Sequence, residues 1–295
     1  MKILLTGGSG FVGKYISRQL QHQALVMLSR HITKPGDIQQ DLRRPFALPQ
    51  SFDTVIHGAG LAHGKPGSFN EVNIQGTRNL LAALSRPPQQ LVYISSVAVY
   101  GLTSGTMISE HHPTVPTDAY GSSKLKAEQM CRTWCEKHSV RFCALRLPLV
   151  VGLEAPGNFG RMVQQLRQGW YLGVGEGAAR RSMVLADDLA SIVLRAAEVG
   201  GTYHLTDGVH PSFCELEDAI CQAFGKKSPN HLPLWVARGM AVTGEVMAAL
   251  RLPAPFRSDT FQKMTSTLTF NDQAARTQLG WSPRSVLRWI EENML

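Results

Sequence analysis

A chain of 295 residues, 43% hydrophobic and 18% charged, is long enough to bury a sizeable core and too apolar to be disordered, collagen-like or a coiled coil. Its 30 Lys+Arg against 22 Asp+Glu give a formal charge of +8, but the basic residues are scattered in isolated pairs (Arg43-Arg44, Arg180-Arg181, Lys226-Lys227) without a nucleic-acid-binding signature, so no nucleic-acid partner is expected. No run approaches the ~18 apolar residues of a spanning helix, and the start MKILLTGGSGFVGK is not read as a signal peptide. The five cysteines (Cys131, Cys135, Cys143, Cys214, Cys221) have neither a disulfide framework nor a zinc spacing. Cys131 and Cys135 read as helix packing, no metal is expected, and reduced thiols suit the cytoplasm.

In chain order, Lys2–Thr6 (KILLT) is an apolar run ending at glycines, and residues 11–20 follow with Val12, Ile16 and Leu20 at helical spacing. Residues 24–28 form a second apolar run, 38–40 a short third strand, and 54–56 and 91–94 further buried strands. Between these two, residues 71–84 carry Val72, Asn79, Leu80 and Ala83 at helical spacing; 118–138 is a long amphipathic helix and 142–147 another strand. Such alternation predicts an α/β fold with a doubly wound parallel sheet covered on both faces. The pattern changes after Val151. A helix is expected over 159–168, a strand end entering a helix over 184–196, and one more strand of the first sheet over 202–205. From 211 onward, short amphipathic helices alternate with Pro-rich joints (His231-Leu-Pro, Leu252-Pro-Ala-Pro).

The loop Thr6-Gly7-Gly8-Ser9-Gly10-Phe11-Val12-Gly13 follows an apolar strand and opens a helix. Glycines allow the tight turn and the close approach of backbone to a pyrophosphate, and the N–H groups of the helix start point at the anion. Dinucleotide sites place an acidic residue about 20 positions on, against the ribose hydroxyls. Here that position is Arg30, after Ser29, and a guanidinium suits a 2′-phosphate. NADP(H) is therefore expected ahead of NAD(H), with Asp41-Leu42 beside the adenine or in a surface turn.

Tyr120-Gly-Ser-Ser-Lys124 puts a phenol and an ammonium on one helix face. The neighbouring ammonium, with a cationic nicotinamide, is expected to lower the phenol from its ordinary pKa of ~10, so that Tyr120 exchanges a proton with a carbonyl oxygen as hydride moves. Ser95-Ser96 at a strand end supplies a further hydroxyl, with Ser96 the donor and Ser95 its neighbour.

These motifs resemble the extended short-chain dehydrogenase/reductase family, the NAD-dependent epimerases, dehydratases and reductases of nucleotide sugars, over nearly the whole chain. TGGSGFVG is similar to TGxxGxxG; Ile56-His57-Gly58-Ala59-Gly60 to a strand end beside the cofactor; Asn73-Ile-Gln-Gly-Thr77 to the helix behind the active-site wall. Ser95-Ser96-Val-Ala-Val-Tyr100-Gly101 resembles SSxxVYG, and Glu110-His-His-Pro113-Thr-Val-Pro116 precedes Tyr120 as in ExxPxxPxxxYGxSK. Leu145-Arg146-Leu147-Pro148-Leu-Val-Val151-Gly152 resembles LRPxxVYG, with Val151 in place of the Tyr. The resemblance implies a Rossmann-like domain over 1–151 and about 184–208, and a smaller, mostly helical substrate lobe over 152–183 and 209–295. It adds Gly58, Ala59, Gly60, Asn73, Leu147 and Pro148 to the cofactor residues Gly7, Ser9, Gly10, Phe11, Val12, Gly13, Ser29, Arg30, Asp41, Leu42, Ser95, Tyr120 and Lys124. Substrate contacts are implied at Ser96, Val97, Tyr120, Asn158, Phe159 and Arg181, with Arg181 clamping the sugar diphosphate. Asp187 and Asp188 read as caps of the following helix.

Family dehydratases carry Asp-Glu where this chain has Val97-Ala98, and two aliphatic side chains cannot transfer protons, so dehydration is not expected. The Cys that fucose-forming epimerase-reductases place at Val97 is missing too. What remains is an NADPH-dependent 4-ketoreductase, or an NAD-dependent 4-epimerase. The run Gly157-Asn158-Phe159 with Arg180-Arg181-Ser-Met-Val, Thr206-Asp-Gly208 and Leu279-Gly-Trp281-Ser-Pro283 is similar to bacterial reductases of UDP-4-keto-6-deoxy-N-acetylhexosamine in surface-polysaccharide biosynthesis. A non-catalytic NADP-binding sensor or scaffold is a third reading, against which Tyr120 and Lys124 both stand. Residues 233–252 form a helix with Leu234, Val236, Met240, Val242, Val246, Met247 and Leu250, read as lobe packing, with a membrane-surface contact for a lipid-linked sugar as the alternative. Leu125, Met130 and Trp134 on the Tyr120 helix suit a homodimer contact or the chain's own core.

Overall fold

The computed structural model describes the chain except Thr33, Arg251, Ala254, Pro255 and Leu295, and except the side chain of Pro66; part of the Leu252-Pro-Ala-Pro joint thus lies outside the described residues. The strands are β1 (Lys2–Thr6), β2 (Ala24–Ser29), β3 (Ile38–Gln39), β4 (Thr54–His57), β5 (Gln90–Ser96), β6 (Gly105–Ile108), β7 (Arg141–Leu147), β8 (Leu149–Val151), β9 (Gly173–Val174), β10 (Met183–Leu185), β11 (Gly201–His204), β12 (His231–Leu232) and β13 (Leu268–Phe270). The helices are α1 (Phe11–Gln19), α2 (Pro66–Phe69), α3 (Gly76–Ala83), α4 (Ala119–Lys137), α5 (Gly157–Gln168), α6 (Ala186–Val199), α7 (Phe213–Ala223), α8 (Leu234–Ala249), α9 (Ser258–Thr265), α10 (Gln273–Leu279) and α11 (Val286–Asn293).

Seven strands form one parallel sheet in the order β11-β7-β5-β4-β1-β2-β3. The order reverses at β1, between β4 and β2, which opens a crevice at the carboxyl ends of these strands. Both faces are covered, so the central strands are mostly apolar. Ile3 and Leu5 pack with Ile16, Val193 and Trp281 on one face; Leu4 packs with Leu80, Leu91, Cys131 and Cys135 on the other. All five cysteines are free. The remaining strands pair two by two, β8 with β10, β9 with β12 and β6 with β13, all in parallel. β10 thus stays outside the main sheet, whereas β11 joins it beside β7.

Two expectations change in detail. The helix expected over 71–84 is broken: α2 runs into a π-helical turn, Asn70–Gln75, before α3 begins. Asp187 and Asp188 occupy the first turn of α6 but supply no capping bond; Asp188 instead accepts from Arg284 N and Nε, both at 2.8 Å. Leu125, Met130 and Trp134 are half-buried against the chain's own core.

Candidate active site

The glycine loop closes on itself and on the neighbouring strand. Gly7 has φ +76°, and a Cβ there would lie 2.6 Å from Ala59 N; a Cβ on Gly13 would lie 2.0 Å from Gly7 O. Gly10 N donates to Gly7 O at 2.9 Å. Gly10 is also the N-cap of α1 and brings no capping side chain, which leaves the first-turn N–H groups open to an anion. Ser9 and Gly10 are exposed, Phe11 and Val12 half-buried. The chain ends that carry this crevice are tied by His57. Thr77 Oγ1 donates to Asn73 O at 2.6 Å, so His57 Nε2 donates to Thr77 (2.8 Å) and Nδ1 accepts from Thr6 Oγ1 (2.7 Å). Burial, and then the charge of Lys124, push His57 down to about 3, so it stays neutral.

At the far end of the crevice, Arg30 is exposed after β2 and its guanidinium forms no hydrogen bond or ion pair among the described residues. The Ser29 hydroxyl turns back to His31 O. Asp41 is not free to meet an adenine: Arg43 grips both carboxylate oxygens (Nη2–Oδ2 2.6 Å) and holds the group at about 2. Leu42 is buried, and its carbonyl accepts from Asn79 Nδ2 at 2.7 Å.

Ser96 ends β5 and caps the 3-10 turn Val97–Tyr100, its Oγ accepting from Ala98 N at 3.2 Å, and its hydroxyl bears on the Tyr120 phenol, opposing the rise of that group's pKa. Tyr120 comes from the first turn of α4, which Asp118 caps through Gly121 N at 2.6 Å. A Cβ on Gly121 would lie 2.4 Å from Ala98 O; the glycine after Tyr120 is what lets α4 press onto the Ser96 turn. The Lys124 ammonium, one turn on, donates to Ile94 O, lies 4.3 Å from the Tyr93 ring centroid and sits 3.8 Å from where a Gly60 Cβ would be. Both reactive groups therefore face the carboxyl ends of β4 and β5.

The part of the expectation for Tyr120 that rests on Lys124 is corrected. Burial pushes the phenol up, the Ser96 hydrogen bond only partly opposes this, and Asp118 adds to the rise; Lys124 spends its proton on Ile94 O and is itself pushed by burial down to about 8. Desolvation disfavours both charged forms at once.

The other expected contacts divide. Asn73 builds the wall: its Oδ1 accepts from Leu61 N (2.8 Å) and its two N–H groups go to Leu61 O (3.1 Å) and Ser123 Oγ (2.8 Å), leaving no donor for a cofactor. Ser95 turns away from the crevice and donates to the buried Glu128 at 2.6 Å. Gly58, Ala59 and Gly60 line the crevice beside Gly7, and Leu147 stands opposite Ser96 in register, with Pro148 half-buried after it. Val97 is half-buried, against the cluster of Val99, Tyr100, Ile108 and Phe270. Asn158 is exposed on the first turn of α5, with Oδ1 accepting from Arg161 at 2.6 Å. Phe159 is a core residue, packed with Met162, Leu216 and Trp289 rather than offered to a ligand. Arg181 is half-buried, donates one Nη2 bond to Lys263 O and is lowered by burial. Among the described residues no three His, Cys, Asp or Glu are grouped to hold a metal.

One part of the site was missed. Arg146 bridges Glu128 (Nη2–Oε1 2.7 Å) and Tyr100 Oη (2.8 Å), and Tyr100 meets His204 Nε2 at 2.7 Å. The cluster holds Ser95 and Tyr100 in place on either side of Ser96. Its sequence signal was Glu128, an acid among the inward positions Gly121, Lys124, Cys131 and Cys135 of α4.

Ser96, Tyr120 and Lys124 come together at a Rossmann-type crevice, the arrangement expected of an oxidoreductase of the extended short-chain dehydrogenase/reductase type. The chain belongs to the NAD dependent epimerase/dehydratase family, whose model matches residues 3–205, and is thus an NAD(P)-dependent enzyme of nucleotide-sugar metabolism. It is 31% identical over 255 residues to N-acetyl-alpha-D-glucosaminyl-diphospho-ditrans,octacis-undecaprenol 4-epimerase of Escherichia coli O157:H7 (78% of this chain, 75% of that one). It is 30% identical over 245 residues to GDP-6-deoxy-D-mannose reductase of Pseudomonas aeruginosa (74% and 79%). In fold it is similar to UDP-glucuronic acid 4-epimerase from Bacillus cereus in complex with NAD, with a TM-score of 0.78 at 22% identity, covering 99% and 96% of the two chains.

Proposed function

We propose that this chain is an NADPH-dependent reductase of a nucleotide-linked 4-keto sugar, of the UDP-4-keto-6-deoxy-N-acetylhexosamine class, in surface-polysaccharide biosynthesis. The observation that carries the reading is Arg30, exposed after β2 with its guanidinium in no hydrogen bond or ion pair among the described residues: it suits the 2′-phosphate of NADPH, the cofactor of net reduction. Tyr120, neutral at pH 7, has the proton to give to the nascent alkoxide. NADPH, when bound, supplies the hydride. Ser96 donates its hydroxyl to the carbonyl oxygen beside Tyr120, while Lys124 holds the crevice floor. The open loop at Gly7, Gly10 and Gly13 accommodates a pyrophosphate, and the unpaired Arg30 suits a 2′-phosphate. Residues 152–183 and 209–295 read the sugar, with Arg181 on the diphosphate and Asn158 beside it.

The second reading, an NAD-dependent 4-epimerase, is favoured by the names of relatives such as the Escherichia coli lipid-linked sugar 4-epimerase. The deciding experiment incubates the purified chain with NADPH and a UDP-4-keto-6-deoxy sugar and follows loss of the reduced nicotinamide. Stoichiometric consumption is expected, with Tyr120→Phe retaining NADPH affinity and losing about 10²–10⁴ in turnover. Interconversion of 4-epimers with catalytic NAD and no net consumption overturns the reductase, and full turnover by Tyr120→Phe overturns the proton donor.

A further inference from the structure

The helix α8 is packed with its large side chains outward. Its buried positions are Ala237, Ala241 and Gly244, a small-residue face on which α9 lies, and a Cβ on Gly244 would come within 2.0 Å of Phe256 O. On the opposite side Trp235 is 77%, Val242 58%, Val246 56% and Leu250 66% exposed. At ~100° per residue these four fall within about 80° of one another. Of the apolar positions that read as lobe packing, Val236 and Met247 are half-buried, while Leu234, Met240, Val242, Val246 and Leu250 are exposed.

Charge decides what such a face fits. The one acid on α8, Glu245, is neutralised by Arg257 (Nη2–Oε2 3.2 Å). Arg238 flanks the stripe, exposed and without an ion pair among the described residues, and Lys226 and Lys227 lie in the segment leading to β12 and α8. Across residues 226–252 the sequence has four cations against that single acid. An apolar stripe carrying a Trp and framed by cations matches the boundary between acyl chains and anionic headgroups. The helix has 16 residues, short of the ~20 needed to cross a bilayer, and no helix among the described residues is long and apolar enough to do so. Such a helix is built to lie on a membrane rather than to cross one.

We propose that α8 is a peripheral anchor that docks this chain on an anionic lipid surface. The contact reaches toward the candidate site through a single element: α9 packs on α8, and its Lys263 carbonyl accepts from Arg181 Nη2. The anchor stands independently of which sugar reaction the chain performs, and its test needs no substrate.

The experiment is flotation of the full chain with phosphatidylcholine vesicles, with and without about one third phosphatidylglycerol. Binding to the anionic vesicles is expected, reduced by high salt. The triple variant Trp235→Ser, Val242→Ser, Val246→Ser should partition about tenfold or more weakly, with an unchanged circular dichroism spectrum and thermal midpoint because these side chains touch solvent. Arg238→Glu with Lys226→Glu and Lys227→Glu should weaken binding to the anionic vesicles alone. The proposal is overturned if the wild-type chain does not float or if the triple variant floats equally well. It is equally overturned if the stripe instead holds a dimer that the triple variant dissociates while no vesicle binding is seen.

Discussion

Lys124 enters the fold at a cost that can be measured. Its side chain is 6% exposed, and burial lowers the ammonium from 10.5 to about 8. At about 1.4 kcal/mol per pH unit, keeping that proton at neutral pH costs the folded state roughly 3 kcal/mol. The unfolded chain holds the proton up to about pH 10.5, the folded chain only up to about pH 8. Between the two values the unfolded state binds more protons, so stability rises with pH across that window, and below it the penalty is present in full. Lys124→Met keeps the length of the side chain and removes the charge. It recovers the penalty, less roughly 1–2 kcal/mol for the hydrogen bond to Ile94 O. The variant is therefore expected to be more stable by roughly 1–2 kcal/mol at neutral pH, while losing turnover. Urea unfolding of both proteins, followed by circular dichroism at about pH 7 and about pH 10, checks this. The advantage of the variant should shrink or reverse at the higher pH. A variant less stable than the wild type by the same amount at both pH values refutes the burial argument.

Three further outcomes follow from single side chains. Gly13→Ala places a Cβ 2.0 Å from Gly7 O, so fluorescence titration should show NADPH affinity falling by about a hundredfold or more; native affinity would mean the loop can open without harm. Arg30→Asp should raise the KM for NADPH by about tenfold or more and favour NADH; unchanged discrimination removes Arg30 from the cofactor site. In the lobe, His231 donates Nδ1–H to Gly175 O at 2.8 Å and points Nε2 at Glu217 Oε2, 2.7 Å away. The carboxyl is buried with neither oxygen in hydrogen-bond alignment; burial pushes its pKa up, and His231 and Tyr171 oppose the rise. Glu217→Gln removes the buried acid and should cost under about 1 kcal/mol, whereas His231→Leu takes the imidazole away from it and should cost about 3 kcal/mol; equal shifts in urea midpoint would contradict a role for His231 in offsetting the buried acid.

What could be read in the sequence was what is local or periodic. A sheet buried on both faces leaves apolar runs, so β1, β2, β4, β5 and β7 declared themselves, and Gly7 and Gly13 marked a turn that no Cβ fits. The i, i+4 spacing of Tyr120 and Lys124 fixed their common face. Direction was not legible. Ser95 and Ser96 are adjacent in a strand, so one must face the buried Glu128 when the other faces the crevice, but only tertiary contacts say which. Phe159 and the large side chains of α8 both carried apolar periodicity, yet the first packs inward and the second outward, because periodicity states that a helix has two faces and not what covers each.

Charge state was the least legible quantity, since it depends on the water excluded by residues distant in sequence. The sequence pairs a phenol with an ammonium and suggests that the second lowers the first. In the folded chain burial raises the phenol and lowers the ammonium, which drives the two values apart and makes Lys124 the more acidic of the pair. Its ammonium is directed at Ile94 O and the Gly60 edge of the crevice. Lys124 therefore shapes and charges the floor on which a dinucleotide would rest, and Tyr120 takes its orientation from Ser96 rather than its acidity from Lys124. A neutral Tyr120 follows from that division of labour, and it is the state from which the proposed reduction would draw its proton.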